Sequence, residues 1–329
     1  MRAFITGISG FLGTALANWL VRDGHEIVGM VRDVGHDWEK PFGVTYAKAD
    51  LSDVASLERV LGEYRIEAVI HLAAQTEIGV AYNDPLSTFE SNVRGTWNVL
   101  EACRRQKVAR VIVASSDKAY GRSKPPYEDG TEILPDRPYD TSKACADLIA
   151  RTYASTYGMS VAVTRCTNLY GPGCRTLSTL IPNTIRRVQR GDPPIVKGGG
   201  LMKRDFLFID DAVSAYRLLL LSDATGAFNF GTGEPRMVKD VVKLLLKLMK
   251  SKLKPVGLAD FVGEIAHQWT RSDRARKLLG WVPRTSFEEG LKRTIAWHVG
   301  PVVDKWTTST STGVMDPVQA VLQTWNANR

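Results

Sequence analysis

Cysteine and histidine are scarce in this chain of 329 residues, which has four cysteines and five histidines. The cysteines form no CxxC pair, and the histidines form neither HExxH nor a tight His/Cys group; the cysteines are Cys103, Cys145, Cys166 and Cys174. Zinc sites and redox pairs require such spacings. The sequence therefore predicts no metal site and chemically inert thiols.

Long apolar runs are also missing. No stretch approaches the roughly 18 apolar residues that a membrane span needs. The first residues, MRAFITG, read as a strand and show no signal-peptide pattern. We therefore expect a cytoplasmic protein that makes no membrane contact.

The charge balance is basic, with 43 Lys and Arg against 35 Asp and Glu, a net charge of +8. This excess suits an anionic small substrate; nucleic acid is the alternative, which predicts salt-dependent retention on DNA. The densest basic stretch, KDVVKLLLKLMKSKLK (239–254), alternates lysine with apolar residues at helical spacing. That pattern predicts a solvated helix with one core face, while a membrane-surface or nucleic-acid helix remains the alternative.

Strand-like and helix-like segments alternate along the first half of the chain. The strand-like runs are RAFITG, HEIVGMV, EAVIHLA, ARVIVAS and SVAVTRC, and the helical patterns between them include GTALANWLVRDG and TWNVLEACRRQ. This alternation predicts an α/β fold with a doubly wound parallel Rossmann sheet. After NLYGPG (168–173) the chain becomes rich in proline and glycine. We expect residues 1–170 to form a dinucleotide-binding domain that 203–230 rejoin, and 171–329 to form a smaller mixed α/β substrate lobe and a loosely packed tail.

The segment TGISGFLG (6–13) directly follows the first strand and opens the first helix. Glycine permits a sharp turn and a close diphosphate, which the helix amino terminus attracts. The predicted contacts to a dinucleotide here are Gly7, Ser9, Gly10, Phe11, Leu12 and Gly13.

The second strand ends in GMVRD, where NAD-binding folds commonly place an acid that holds the adenosine ribose. Arg32 in this position would pair with a 2′-phosphate and predicts NADP, while Asp33 leaves NAD as the alternative. Asp50 and Leu51 are expected near the adenine. HLAAQ (71–75) is expected along the diphosphate and the nicotinamide ribose, through Leu72, Ala73, Ala74 and Gln75.

YDTSK (139–143) opens a helical pattern, which places Tyr139 and Lys143 on one helix face. A nearby ammonium and a positive nicotinamide ring would both favour the phenolate, so we expect a lowered pKa for Tyr139. The stretch SSDKAYG (115–121) follows a buried strand and sets Asp117 beside Lys118. Charges in such a turn often only face water, but the carboxyl edge of a parallel sheet is also where ligands bind.

Together these motifs resemble extended short-chain dehydrogenase/reductases of the nucleotide-sugar-modifying kind. The resemblance runs through HLAAQ, NVRGTWNVLEA, SSDKAYG, PYDTSK, NLYGPG, KRDFLFIDD, FNFGTGE and LGWVPRTSFEEGL (279–291), in the family's order. Residues 301–329 match nothing in it.

The resemblance implies a role for each matching residue. Ser116 would bond the C4 oxygen of a nucleotide sugar, Tyr139 would be the base, and Lys143 would bind the nicotinamide ribose. The substrate-binding residues implied or predicted are Thr76, Ser116, Asn168 and Arg204, with a structural salt bridge as the alternative for Arg204.

Asp117 and Lys118 occupy the two positions that, in the family this chain resembles, distinguish 4,6-dehydratases from C4 epimerases. Asp-Lys is similar to CDP-glucose 4,6-dehydratases, whereas GMVRD is similar to the GDP-mannose enzymes. Lys118 would remove the C5 proton and Asp117 would protonate the departing C6 hydroxyl. The expected function is nucleoside-diphosphate-hexose 4,6-dehydration. A C4 epimerase or 4-keto reductase, or a protein that only senses NAD(P), is the alternative.

The resemblance also implies a homodimer. Its contact would be a four-helix bundle built from NVRGTWNVLEACRR and TSKACADLIARTYASTYG, whose apolar faces exceed what one sheet covers.

Overall fold

The structure is a computed structural model that describes residues 1–35, 38, 40–258 and 265–300. The predicted tail at 301–329 lies outside the described residues. The strands are β1 (Arg2–Thr6), β2 (Glu26–Val31), β3 (Val44–Lys48), β4 (Ala68–His71), β5 (Arg110–Ala114), β6 (Val161–Cys166), β7 (Asn168–Tyr170), β8 (Ile195–Lys197), β9 (Lys203–Arg204), β10 (Phe206–Phe208), β11 (Gly226–Phe230), β12 (Arg236–Met237), β13 (Val256–Leu258) and β14 (His267–Gln268).

Helices separate most of these strands. They are α1 (Phe11–Arg22), α2 (Val54–Glu63), α3 (Ile78–Asn83), α4 (Pro85–Phe89), α5 (Gly95–Arg105), α6 (Pro138–Tyr157), α7 (Leu180–Gln189), α8 (Ile209–Leu221), α9 (Val238–Leu248), α10 (Asp273–Leu279) and α11 (Phe287–Val299). A π-helical turn spans Glu90–Arg94, and 3₁₀ turns span Asp117–Tyr120 and Gly198–Gly200.

Seven parallel strands form the central sheet, in the order β11-β6-β5-β4-β1-β2-β3. The predicted Rossmann sheet is confirmed. Sequence analysis did not identify β3. The chain leaves β1 toward β2 on one side and reaches β4 on the other, so the ligand crevice of such a sheet lies at the carboxyl ends of β1 and β4.

Side chains alternate between two buried layers along each central strand, as the two-residue period requires. Ile5, Ile70 and Ile112 pack in one layer, while Phe4 and Val69 pack in the other. Both faces of the sheet are therefore covered, which explains why these strands are continuous apolar runs.

The chain after β6 builds smaller sheets beside the carboxyl edge of the central one. β7 pairs with β10, β8 with β13, and β9 lies between β12 and β14. The segment predicted to rejoin the first domain is split: β9 and β10 pair outside the central sheet, whereas β11 is its outermost strand. The division at residue 170 stays a prediction.

Helix α9 buries Val238, Val241, Val242, Leu245 and Leu246 while its lysines are exposed. This confirms the predicted solvated helix with one core face. Within the described ranges, no helix has the length and apolar character to cross a bilayer.

Candidate functional site

The glycine turn between β1 and α1 packs closely against the loop after β4 and against the start of α1. Gly7 has φ +71°, and a side-chain carbon there would lie 2.7 Å from the backbone nitrogen of Ala73. A side chain at Gly13 would collide with the carbonyl oxygen of Gly7. No side chain caps the amino terminus of α1 at Gly10. Its first turn therefore keeps the donors and the positive dipole end that suit a diphosphate.

The loop after β4 runs beside this turn and is fixed by backbone hydrogen bonds. The Leu72 and Ala73 nitrogens donate to Thr6 Oγ1 at 3.2 and 3.1 Å. Gln75 N donates to Asn92 Oδ1 at 2.7 Å, and Asn92 Nδ2 donates to the Gln75 carbonyl at 2.9 Å. The predicted cofactor residues at 72–75 thus adjoin the glycine turn.

Arg32 and Asp50 mark the outer end of the crevice, and both are exposed. Hydrogen bonds from the backbone and side chain of Ser52 lower the pKa of Asp50, and the charge of Arg32 lowers it further. Arg32 therefore lies near the carboxylate predicted to meet the adenine. Asp33, the alternative ribose ligand, accepts a hydrogen bond from Gly35 N at 2.9 Å.

Helix α6 begins at Pro138, and its first two turns present Tyr139 and Lys143 on one buried face. Lys143 Nζ donates to the Ala114 carbonyl at the end of β5 at 3.0 Å. Burial lowers the pKa of Lys143 to about 8. The four-residue spacing therefore brings the predicted pair together as expected.

The pKa of Tyr139 is raised, not lowered. Burial is the main cause, and the charges of Asp117 and Asp140 add to it, whereas a hydrogen bond with the Ser116 side chain acts in the opposite direction. The expectation that Lys143 lowers this pKa is not met in this structure. The Lys143 ammonium instead donates to a backbone carbonyl, and two carboxylates lie near the phenol.

The charged pair in the turn after β5 points inward. The Asp117 side chain is completely buried, and the Lys118 side chain is 15% exposed. Ser116 Oγ donates to Asp117 Oδ1 at 3.2 Å, and Lys118 Nζ lies 3.5 Å from the same oxygen. Lys118 Nζ also donates to Asn168 Oδ1 at 3.2 Å. The solvated-turn interpretation of these charges is therefore wrong.

The four predicted substrate residues do not all meet at this centre. Ser116 and Asn168 contact the charged pair directly. Thr76 is exposed on the loop after β4. Arg204 Nη1 donates to the carbonyls of Lys203 and Ala266 at 2.9 and 3.2 Å, which holds the guanidinium against the small mixed sheet.

Comparison with known proteins identifies the family of this chain. Residues 3–231 match the NAD dependent epimerase/dehydratase family. The chain belongs to this family. The resemblance noted in the sequence and the Rossmann fold are thereby confirmed.

Named relatives perform two different reactions. The chain is 29% identical to a UDP-glucuronate 4-epimerase of Thermodesulfobacterium geofontis, over 89% of this chain and 94% of that protein. It is 28% identical to a dTDP-glucose 4,6-dehydratase of Neisseria meningitidis, over 91% and 93%. The crystal structure of a dTDP-glucose 4,6-dehydratase from Streptomyces venezuelae with NAD bound superposes with a TM-score of 0.83, at 26% identity over 91% and 97% of the two chains.

Two residues to which sequence analysis gave no individual role connect the parts of this candidate site. Asn92, in the π-helical turn, holds Gln75 and donates to Ser142 Oγ on α6 at 2.9 Å. His71 lies 2.8 Å from Thr6 Oγ1 and 3.1 Å from Thr96 Oγ1. Asn92 is the first residue of the motif NVRGTWNVLEA, but no local sequence pattern predicts a π-helical turn.

Tyr120, in the same turn as Asp117 and Lys118, makes contacts that stabilise the fold. Its hydroxyl donates to Asn229 Oδ1 at 2.7 Å and accepts from Arg165 Nη1 at 2.8 Å. Arg165 in turn pairs with the buried carboxylate of Asp147 on α6 at 2.7 Å. This network fixes the turn that carries Asp117 and Lys118 against the sheet and α6. Among the described residues, no group of His, Cys, Asp and Glu is placed to hold a metal ion.

Proposed function

We propose that the protein is a nucleoside-diphosphate-hexose 4,6-dehydratase of the CDP-glucose or GDP-mannose type. The observation that carries this proposal is the position of Asp117 and Lys118, which lie at the sheet edge beside Ser116 and the Tyr139 helix, not in bulk solvent. A C4 epimerase needs no second acid–base pair there. Elimination of water from C5 and C6 requires one.

The glycine turn fits a nicotinamide dinucleotide, because the amino terminus of α1 has no side-chain cap and glycine at position 7 lets the turn pack directly against the backbone of Ala73. The residues proposed to hold the diphosphate are Ser9, Gly10, Phe11, Leu12 and Gly13, with 72–75 beside the nicotinamide ribose. When bound, this group would accept the C4 hydrogen of the sugar and return hydrogen to C6.

We propose NADP as the dinucleotide because Arg32, next to Asp50, supplies a cation where a 2′-phosphate would lie. The NAD in the Streptomyces venezuelae structure argues for the other form. Mass spectrometry of the nucleotide that co-purifies with the protein distinguishes the two.

Three residues are proposed to act at C4. Tyr139 takes the proton of the 4-hydroxyl, and Ser116, hydrogen-bonded to Tyr139, holds the same oxygen. Lys143 lies one helical turn from Tyr139 and binds the ribose. Burial and nearby carboxylates oppose the phenolate form of Tyr139. The positive charges of the Lys143 ammonium and the nicotinamide ring would therefore have to stabilise the phenolate before Tyr139 could accept a proton.

Asp117 and Lys118 are proposed to act at C6 and C5. The C4 ketone acidifies the C5 proton, which Lys118 removes while Asp117 gives a proton to the C6 hydroxyl and water departs. The proposed step uses Lys118 as the amine and Asp117 as the acid, and their side chains lie 3.5 Å apart, so both can reach adjacent carbons of one sugar.

The proposed homodimer uses the outer faces of α5 and α6. Trp97 on α5 is 43% exposed and Leu148 on α6 is 49% exposed. Large apolar side chains this accessible on neighbouring helices are typical of a covered interface. The cytoplasmic location stays a prediction.

The deciding experiment is incubation of the purified protein with CDP-glucose and with GDP-mannose. A dehydratase forms a 4-keto-6-deoxy sugar nucleotide, detected by its ultraviolet absorbance in alkali and by the loss of one water in its mass. Product formed in heavy water should carry deuterium at C5, because Lys118 exchanges its proton with solvent.

A C4 epimerase is the second candidate, favoured by the UDP-glucuronate 4-epimerase that matches over 89% of the chain. That activity would give a product of unchanged mass with inverted C4. An epimer as the sole product, from these sugars or from UDP-glucuronate, would contradict the dehydratase proposal.

A further inference from the structure

Four polar atoms near the charged pair are buried without a hydrogen-bond partner. They are Asp117 Oδ2, the Tyr127 hydroxyl, Asp140 Oδ2 and Gln268 Nε2. None of these residues is more than 3% exposed. Leaving a buried polar group without a hydrogen bond is unfavourable, so such a group indicates a missing partner. We call these four residues the hydroxyl pocket.

The four residues come from different parts of the fold and meet beside Asp117. The backbone of Tyr127 is held next to Gln268, because Tyr127 N donates to the Trp269 carbonyl at 2.9 Å and Arg271 N donates to the Tyr127 carbonyl at 2.8 Å. Burial raises the pKa of Tyr127 to about 12, and the charge of Asp117 is the next cause. Gln268 lies close enough to this phenol for hydrogen bonding to lower the pKa, although the two groups do not form a hydrogen bond of ordinary geometry, and the charge of Asp140 raises the pKa.

Asp140 belongs to the same group although it follows Tyr139 on the catalytic helix. Its Oδ2 lies 3.8 Å from Arg137 Nη1, beyond hydrogen-bonding distance. Burial raises the pKa of Asp140 to about 6, against the opposing charge of Lys118. The hydroxyl pocket thus adjoins both Lys118 and Tyr139, which reach the accessible surface.

The unpartnered atoms are complementary to an alcohol. Carboxylate oxygens accept, an amide nitrogen donates, and a phenol does either. A hydroxyl group can donate to Asp117 or Asp140 and accept from Gln268 or Tyr127.

Asp117 Oδ1 already accepts from Ser116 and lies beside the Lys118 ammonium, so Oδ2 is the oxygen left to meet a substrate. We propose that the hydroxyl pocket binds the C6 hydroxyl of the hexose and presents it to Asp117. This inference rests on the proposed 4,6-dehydration and adds Tyr127, Asp140 and Gln268 as residues that recognise the leaving group.

The test measures binding and needs no turnover. In a Tyr139→Phe background, so that ligand is not consumed, calorimetry compares CDP-glucose with CDP-6-deoxyglucose, and GDP-mannose with GDP-6-deoxymannose. Each pair differs only by the C6 oxygen. Tyr127→Phe removes only the pocket phenol, and Tyr157→Phe, at a 55% exposed tyrosine at the end of α6, is the matched control.

We expect Tyr127→Phe to weaken binding of the 6-hydroxy ligand by about 3- to 10-fold, as one hydrogen bond is worth, and to leave the 6-deoxy ligand unchanged. Tyr157→Phe should change neither. Equal weakening of both ligands, or no change in either, would overturn the proposal and leave a pocket that holds internal water only. Asp140→Asn gives the same comparison if Tyr127→Phe does not fold.

The experiments distinguish a wrong hydroxyl-pocket proposal from a wrong proposed function. Wild-type protein that forms a 4-keto-6-deoxy product while the binding comparison shows no dependence on C6 refutes the pocket alone. Wild-type protein that forms no such product from CDP-glucose, GDP-mannose, dTDP-glucose or UDP-glucose refutes the dehydratase function and, with it, the reason for a C6 site.

Discussion

Lys118 Nζ and Asn168 Oδ1 are joined by a hydrogen bond of 3.2 Å that connects the turn after β5 to strand β7. The resemblance assigns Asn168 to the substrate diphosphate, yet its side-chain oxygen faces the proposed C5 base. Its amide nitrogen donates to the Asp205 carbonyl at 2.9 Å, which fixes the side chain between the two partners. Lys118 is thus held by a neutral acceptor on one side and by Asp117 on the other.

Asn168→Asp should slow dehydration at neutral pH and move its optimum to higher pH. The substitution puts a second carboxylate next to Lys118, which then retains its proton more firmly; we expect a loss of about tenfold near pH 7. The measurement is the pH profile of 4-keto product formation. Asn168→Ala is the control, because it removes the contact without adding charge. An unchanged profile in Asn168→Asp would exclude Lys118 as the base.

Tyr139→Phe should abolish both C4 oxidation and product formation. General acid–base catalysis contributes about 10²–10⁴-fold, so turnover should fall by at least two orders of magnitude. Tyr157→Phe makes the same chemical change at the exposed end of α6 and should retain full activity. Equal activity in the two variants would remove Tyr139 from the mechanism.

Lys118→Met should separate the two halves of the reaction. Oxidation at C4 depends on Ser116, Tyr139 and Lys143 and should persist, so nicotinamide absorbance should rise on addition of substrate and then remain. Water loss and deuterium incorporation at C5 should both disappear. A variant that still forms the 6-deoxy product would exclude Lys118 as the C5 base.

The sequence predicts those parts of this site that depend on local order. A strand followed by glycines and a helix specifies the turn at Gly7, and a four-residue spacing on a helix brings Tyr139 and Lys143 together. The continuous apolar strands likewise predict the central sheet, since a parallel sheet is buried on both faces.

Contacts between distant segments could not be predicted in this way. Tyr127 meets Gln268 only because a loop after β5 pairs with the strand segment near residue 270, and no periodicity in either stretch encodes that pairing. β10 carries a strong strand pattern but pairs with β7 instead of the central sheet. The direction of the Tyr139 pKa depends on Asp117 and Asp140, whose burial is a tertiary property.

Leu148→Arg should convert the proposed dimer to a monomer. A charge in the middle of an apolar helix face cannot be buried against a second copy without a large desolvation cost. Light scattering on the eluting protein gives the molar mass directly. Leu278→Arg is the matched control, since Leu278 is a leucine of 50% exposure on α10, away from that face. A Leu148→Arg protein of unchanged mass would exclude α6 from the interface.

Replacing His71 should flatten the pH dependence of stability. His71 is buried between Thr6 and Thr96, and burial lowers its pKa from 6.5 to about 3. Below pH 6.5 the imidazole of His71 binds a proton in the unfolded chain but not in the folded protein. The contribution of His71 to the free energy of unfolding is therefore fully present above pH 6.5 and is lost as the pH falls toward 3. From about pH 7 to about pH 5, wild type should lose about 2 kcal/mol more unfolding free energy than His71→Asn. Urea titrations at both pH values measure it, and since contributions from Asp140 and Asp205 are common to both proteins, their difference isolates His71. Parallel losses in the two proteins would mean that His71 is protonated in the folded state.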